Sequence, residues 1–326
     1  MAKKSDQPKT SQPSPAFVLK PEAVEALGWS HKERKHFIMT RLWVPYPAAD
    51  EAIAELETLL EHPHEDRVPG MSLIAHTNNG KSRTLEEFIR RNPPDDADLW
   101  EGLHRPIVHA TAPKDCELRV LFQKILEAMG VVFESREREP VLRYLVFHHL
   151  ERVEARMLVL DEFHNAMAGS PKKQPAYLNQ IKEFCVDLHL PVVVSGNEKV
   201  PMLLRHVEEL SNRLEPHVLP RWAPSADLQK LLRGIEERLP FLERSHLNSR
   251  EVATHLYERC GGLGGGALLG EIMRVIRLAA CAAVDAGESN VSLKRLQSIR
   301  RPPPESRWEV ALAALAPVAP LRTPVA

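Results

Sequence analysis

What this chain of 326 residues lacks already narrows its class. No apolar run approaches the roughly 20 residues that cross a bilayer. The opening MAKKSDQPKTSQPSP has none of the apolar middle that a secretory signal requires. A membrane protein is excluded on this reading, and a cytoplasmic location is expected. The four cysteines, Cys116, Cys185, Cys260 and Cys281, stand far apart and form no C-x-x-C pair. That spacing argues against a structural zinc site or a disulfide framework and suits a reducing compartment. Neither sign of charge is in surplus: 43 Lys+Arg against 44 Asp+Glu leave a formal charge of -1. A histone-like excess therefore cannot drive DNA binding, but a local basic track can, because screening confines each charge to about 10 Å. No internal repeat is present. The length permits two domains, or one large α/β domain with an appendage, and a sizeable buried core.

Residues 1–16 are rich in Lys, Ser and Pro and almost free of apolar side chains, which predicts a disordered tail. From Lys20 to Leu60 the pattern is helical, with Pro21 suited to a first turn and Ala52, Ile53, Leu56, Leu59 and Leu60 at helix spacing. Short apolar runs at 71–75, 106–110, 157–160 and 191–195, with a weaker one near 217–219, read as strands. Helical periodicity at 82–91, 116–129, 141–154 and 177–188 fills the gaps. That alternation predicts a parallel sheet covered on both faces. After Trp222 the strand signals stop, and 225–237, 249–259 and 268–286 read as three helices of a small all-α domain. The expected division is thus a tail (1–16), an N-terminal helical segment (17–60), an α/β core (61–222), a helical lid (223–298) and a Pro/Ala-rich tail (299–326).

Ala75-His76-Thr77-Asn78-Asn79-Gly80-Lys81-Ser82 follows a strand and opens a helix. In that setting successive backbone N–H groups cradle β- and γ-phosphates, and the helix dipole favours their charge. Nucleotide contacts are expected from Thr77, Asn78, Asn79, Gly80, Lys81, Ser82 and Arg83, with Lys81 on phosphate oxygens and the Ser82 hydroxyl on Mg²⁺. The first loop position usually carries Gly and here carries Ala75. A left-handed alanine there would cost about 1–2 kcal/mol. The competing reading is a chance G-K-S on a surface turn. Against it stands the apolar strand Met157-Leu158-Val159-Leu160, which ends in Asp161-Glu162. Such a strand delivers two acids to the sheet edge beside the phosphates, Asp161 for Mg²⁺ and Glu162 to polarise the attacking water.

Other groups fit around this pair. Val192-Val193-Val194 leads into Ser195-Gly196-Asn197, where Ser195 or Asn197 would sense the γ-phosphate. Arg213 ends a helix just before a strand, and two readings stand: an arginine finger toward a neighbouring subunit, or a helix-end charge offsetting the dipole. Asp161-Glu162-Phe163-His164 superficially matches a helicase box, but the chain is too short for two helicase lobes. His164 is read instead as a residue coupling the site to its surroundings. His148-His149 reads as a helix face. Lys114, Arg119, Arg136 and Arg138 are candidate DNA-backbone contacts, with a solvated charged face as the alternative for each.

At these residues the chain resembles the TniB family of transposition ATPases, relatives of the TnsC regulators within the AAA+ superfamily of P-loop NTPases. The similar text includes Arg41-Leu42-Trp43-Val44-Pro45-Tyr46-Pro47, Asn78 through Ser82 leading to Phe88, and Leu158 through Asn165. It continues with Leu190 through Gly196, Ser211-Asn212-Arg213-Leu214, Leu219-Pro220-Arg221-Trp222 and the stretch 261–269. Coverage runs from about 21 to 297. Ser195-Gly196-Asn197 departs from the V-G-T expected there, and no arginine occupies the usual second-sensor position of the lid. The resemblance implies a protein that binds ATP and Mg²⁺ and hydrolyses ATP. It implies assembly as a homo-oligomeric ring or filament on double-stranded DNA, and recruitment of a DDE-type transposase alongside a TniQ-like targeting partner. The rival expectations are an initiator- or clamp-loader-like replication ATPase and a nucleotide-dependent scaffold without hydrolysis. The C-terminal tail with Arg300, Arg301 and Trp308 would either dock a transposase or be inert.

Overall fold

The computed structural model describes residues 18–40, 43–63, 67–94, 104–261, 265–302, 306–309 and 312. The tail 1–16, Arg41 and Leu42, residues 262–264 and most of the C-terminal tail lie outside the described residues.

Three helices open the chain where the sequence shows one long helical stretch: α1 (Pro21–Ala26), α2 (His31–Thr40) and α3 (Pro47–Leu60). The divisions fall at Gly28 and at Pro45-Tyr46-Pro47, and Pro21 and Pro47 each occupy a first turn, where the missing N–H costs nothing. The α/β layer then runs β1 (Gly70–Ala75), α4 (Lys81–Arg91), β2 (Ile107–Thr111), α5 (Leu118–Met129), α6 (Glu139–Arg152), β3 (Met157–Asp161) and α7 (Gln174–Asp187). It ends with β4 (Val192–Gly196), the short α8 (Val200–Leu204) and α9 (Glu208–Ser211), and β5 (Leu214–Leu219). All pairings are parallel, in the order β2-β3-β4-β1-β5.

Strand side chains alternate between two apolar layers, as the period of two demands. Leu158, Leu160, Val192 and Val194 pack with Phe122, Leu142 and Phe184 on one face. Met71, Leu73, Val159 and Val193 pack with Leu56, Leu85 and Phe88 on the other. β5 is an edge strand, with Glu215 and Pro216 exposed where a proline breaks no internal ladder. It begins at Leu214, three residues before the weak apolar signal.

After β5 come α10 (Ala226–Glu236), α11 (Arg250–Arg259), α12 (Leu269–Asp285) and α13 (Leu293–Ser298), the last a short helix with no clear apolar period. Ser225, Ser249 and Ser292 cap three of them, accepting from Leu228, Val252 and Arg295 N–H groups. These helices share a third apolar cluster around Leu232, Ile235, Leu256, Ile276 and Ala280. The N-terminal segment does not stand apart from it. Ile38, Val44 and Tyr46 belong to the lid cluster, while α3 belongs to the layer under the sheet.

Candidate functional site

The carboxyl ends of β1, β3 and β4 converge on one edge, and the loop 76–80 crosses it. Ala75 is still in β1 and buried, and its φ is not positive, so the penalty anticipated for alanine does not arise. The left-handed residues are Asn78 (φ 64°), a type that tolerates this region, and Gly80 (φ 94°). Space at Gly80 is tight as well. A Cβ there would sit 3.0 Å from both Leu269 Cδ2 and Tyr46 Oη.

Lys81 begins α4 with 7% of its side chain exposed, and its Nζ lies 2.8 Å from Asp161 Oδ1 and 2.8 Å from Glu162 Oε1. Ser82 Oγ donates to Asp161 Oδ2 at 2.9 Å. Ser195 Oγ and the Glu162 N–H both donate to Asp161 Oδ1, at 2.8 and 2.7 Å. Burial alone would raise the Asp161 pKa. The Lys81 ammonium beside it and these hydrogen bonds prevail and hold the carboxyl below its ordinary value. Glu162 is left-handed (φ 56°) at the strand end, which turns its carboxylate off the sheet toward the loop. One Glu162 oxygen meets Lys81; the other lies 3.4 Å from His164 Nε2.

Ser195 is fully buried beneath Asp161, whereas Asn197 reaches the cavity wall, its Oδ1 accepting from the Lys199 N–H at 3.0 Å. The cavity, about 210 Å³, is bounded by the loop from Ala75 to Arg83 together with Glu162, His164 and Asn197. Thr77, Asn78 and Arg83 are exposed around it. A second hollow of about 410 Å³ shares Asn78, Gly80 and Arg83 and continues between Trp43, Tyr46, Leu231, Leu269 and Met273. Two larger hollows, of about 610 and 510 Å³, lie elsewhere, and the first meets this region at Arg83 and Trp43. Size does not mark the site; converging charge does.

The Asn79 side chain is committed elsewhere, which leaves only its backbone to face the cavity. That side chain is buried, donating to the Leu219 and Pro220 carbonyls at 3.1 and 2.9 Å and accepting from the Leu269 N–H at 3.1 Å. It braces the loop against the end of β5 and the start of α12. The Gly270 N–H donates to the Asn78 carbonyl at 2.9 Å, and Asn78 Nδ2 donates to Glu271 Oε1 at 3.1 Å. Sequence reasoning missed Glu271, because an acid in the first turn of a helix carries no signal of such a contact. It also gave Tyr46 and Trp43 no place in a cavity.

The remaining expected residues lie apart. Arg213 sits at the opposite, amino edge of the sheet: its carbonyl accepts from the Gly70 N–H, and Nη1 donates to the Val68 carbonyl at 3.4 Å. A strand's length, about 17 Å, separates it from its own phosphate loop. Lys114, Arg136 and Arg138 are exposed. The Arg119 guanidinium is instead engaged by the Glu137 carbonyl at 3.1 Å and by that of Ser135, bracing the segment that carries Arg136 and Arg138.

Over residues 34–224, more than half of its length, the sequence matches the family described as "Bacterial TniB protein". The chain belongs to the TniB family. The site of this TniB-family chain lies largely within the matched span, while Leu269, Gly270 and Glu271 fall beyond it. No curated protein matches the chain significantly. Among solved structures, it is similar to the Aeropyrum pernix ORC2 protein in ADPNP–ADP complexes, with TM-score 0.56 and 15% identity over 80% of this chain and 70% of that one. It is likewise similar to Cdc6p from Pyrobaculum aerophilum (TM-score 0.53, 16% identity, 78% and 67%) and to the Aeropyrum pernix ORC1 protein in complex with DNA (TM-score 0.52, 18% identity, 82% and 68%). At such identities the likeness is one of fold, and the fold is that of AAA+ ATPases. Among the described residues no helix is long and apolar enough to cross a membrane.

Proposed function

We propose that this TniB-family chain is an ATP-dependent regulator of DNA transposition. In this reading it assembles on double-stranded DNA when ATP is bound, recruits or activates a DDE-type transposase with a TniQ-like targeting partner, and disassembles on hydrolysis. The observation that carries the reading is the convergence of Lys81, Ser82, Asp161 and Glu162 at one strand edge beneath a left-handed loop. Family membership supplies the transposition context. The DNA and nucleotide complexes of the ORC proteins of like fold are consistent with it.

The residues suit a magnesium nucleotide. The paired oxygens of Ser82 and Asp161 are hard donors, and among the described residues no cluster of three or more His, Cys, Asp or Glu competes for a cation. Bound Mg²⁺ supplies charge neutralisation between the phosphates. The chain's own groups do the rest. Backbone N–H groups around Asn78–Gly80 and the Lys81 ammonium hold the phosphates, and the apolar hollow beside Tyr46 and Leu269 receives the base. Lys81 moves to phosphate oxygen and releases Glu162 to orient water. Asn197, at the cavity wall, serves as the γ-phosphate sensor, with Ser195 positioning Asp161. Arg213, remote from its own site, completes a neighbour's. Lys114, Arg136 and Arg138 contact the DNA backbone, with Arg119 as their brace.

The test is retention of labelled ATP by the purified chain, followed by turnover with and without duplex DNA. The reading requires retention and DNA-stimulated turnover. Retention without stimulation favours a scaffold, and no retention ends the nucleotide reading.

A further inference from the structure

Glu271 lies in the first turn of α12 and is 6% exposed, although it carries a charge. Both of its oxygens are taken. Oε1 accepts from Asn78 Nδ2 in the phosphate loop at 3.1 Å. Oε2 accepts from Arg301 Nε at 3.2 Å and from Arg307 Nη2 at 2.8 Å. Those arginines come from the segment beyond α13, about 30 residues on in the chain, with 17% and 34% of their side chains exposed. One buried carboxylate therefore joins the loop that would grip phosphates to the C-terminal segment.

The junction is closely fitted. A Cβ at Gly270 would fall 1.9 Å from Asn78 Oδ1, so only glycine lets the start of α12 lie against the loop. Asn78 is itself left-handed, a conformation an isolated asparagine tolerates without favouring. Two bonds fix it there, from the Gly270 N–H to its carbonyl and from its own amide to Glu271. A buried carboxylate needs charge partners, and among the described residues the two arginines supply them. Removing them would free Glu271 to turn toward water and release Asn78.

We propose that Glu271 is a positioning residue for the phosphate loop, and that the segment bearing Arg301 and Arg307 sets, through it, how tightly a nucleoside triphosphate is held. This rests on the nucleotide reading of the site given above. A ligand or partner that draws Arg301 and Arg307 away from Glu271 loosens nucleotide, and nucleotide binding holds the two arginines there in return, since linkage is reciprocal.

Two measurements on the full chain test it: the dissociation constant for a fluorescent ATP analogue with magnesium, and amide hydrogen exchange of residues 76–81 without nucleotide. Glu271→Ala weakens binding about tenfold, the worth of one hydrogen bond to a charged group, and speeds exchange in the loop. Arg301→Ala with Arg307→Ala does the same in part. Glu271→Gln is intermediate, because its amide oxygen still accepts from Asn78. Glu236→Ala is the control: Glu236 is 2% exposed in α10, accepts from the His246 N–H at 2.8 Å, and does not touch the loop. It destabilises the lid and leaves affinity alone. Wild-type affinity and exchange in Glu271→Ala and the double arginine variant would overturn the proposal, as would an equal loss of affinity in Glu236→Ala. If the wild-type chain retains no nucleotide, the site reading falls and the affinity claim falls with it, a result distinct from intact binding that the variants fail to move.

Discussion

One Glu162 oxygen is held by Lys81 at 2.8 Å, and the other faces His164 Nε2 at 3.4 Å. When a phosphate claims Lys81, only His164 remains to fix the direction of the carboxylate. Two expectations follow at this scale. Glu162→Gln keeps the shape and the Lys81 contact with phosphate, so ATP is retained while turnover falls by at least about a hundredfold, the usual worth of a general base. Single-turnover assays beside equilibrium binding check it. His164→Ala leaves ATP affinity unchanged and slows turnover about tenfold, as suits loss of one polar contact that steadies the carboxylate. An equal loss in affinity and rate would instead make His164 a binding residue. Neither oxygen's partner could be read from the sequence: the spacing Glu-Phe-His says nothing of a left-handed Glu162 that turns back over its own strand.

At the scale of elements, the strands that were easiest to read are those buried on both faces. β3 and β4 are fully buried and begin as apolar runs, Met157–Leu160 and Val192–Val194, as a sheet with helices on both sides demands. β5 was read short because its Glu215 and Pro216 are tolerated at an edge, and α13 was unread because six residues give too little period. The strand–loop–helix turn at 75–82 and the acid-ending strand are legible for a similar reason, since their spacing is local. The latch at α12 was not, because it joins residues nearly 200 positions apart in sequence. Its electrostatics have a measurable sign. Burial by itself would raise the Glu271 pKa, but hydrogen bonds from Arg307 and Arg301 and their charges prevail and hold it below its ordinary 4.5. The stabilisation is therefore complete above that value and is lost as pH falls through the depressed one. Denaturant titrations of wild type and Glu271→Gln should differ by about 2 kcal/mol near neutrality, less than a fully buried pair because Arg307 is a third exposed. The gap should close below pH 4.5. A gap that does not narrow at all as pH falls below 4.5 would remove the charge from this account.

For the whole molecule, the two edges of the sheet carry different work. Arg213 lies at the amino edge and the loop 76–80 at the carboxyl edge, so on the proposed reading Arg213 serves a neighbour's site and not its own. Arg213→Ala should bind ATP as wild type does yet fail to hydrolyse it, and mixing it with Lys81→Ala chains should restore some turnover at the mixed junctions. Absence of any restoration would make Arg213 a structural charge. If Lys114, Arg136 and Arg138 track phosphates, the logarithm of DNA affinity should fall with that of salt by about 0.9 for each contact, and each alanine should lower the slope by that amount. The brace at Asn79 has a chemical consequence of another kind. Asparagine before glycine is the pair most given to cyclising and losing its amide as ammonia, which here would set a new negative charge beside the phosphates. With its amide pinned between β5 and α12, Asn79 is kept from that ring closure. Ageing at this one bond, followed by peptide mapping, thus becomes a slow clock for how often the two halves part.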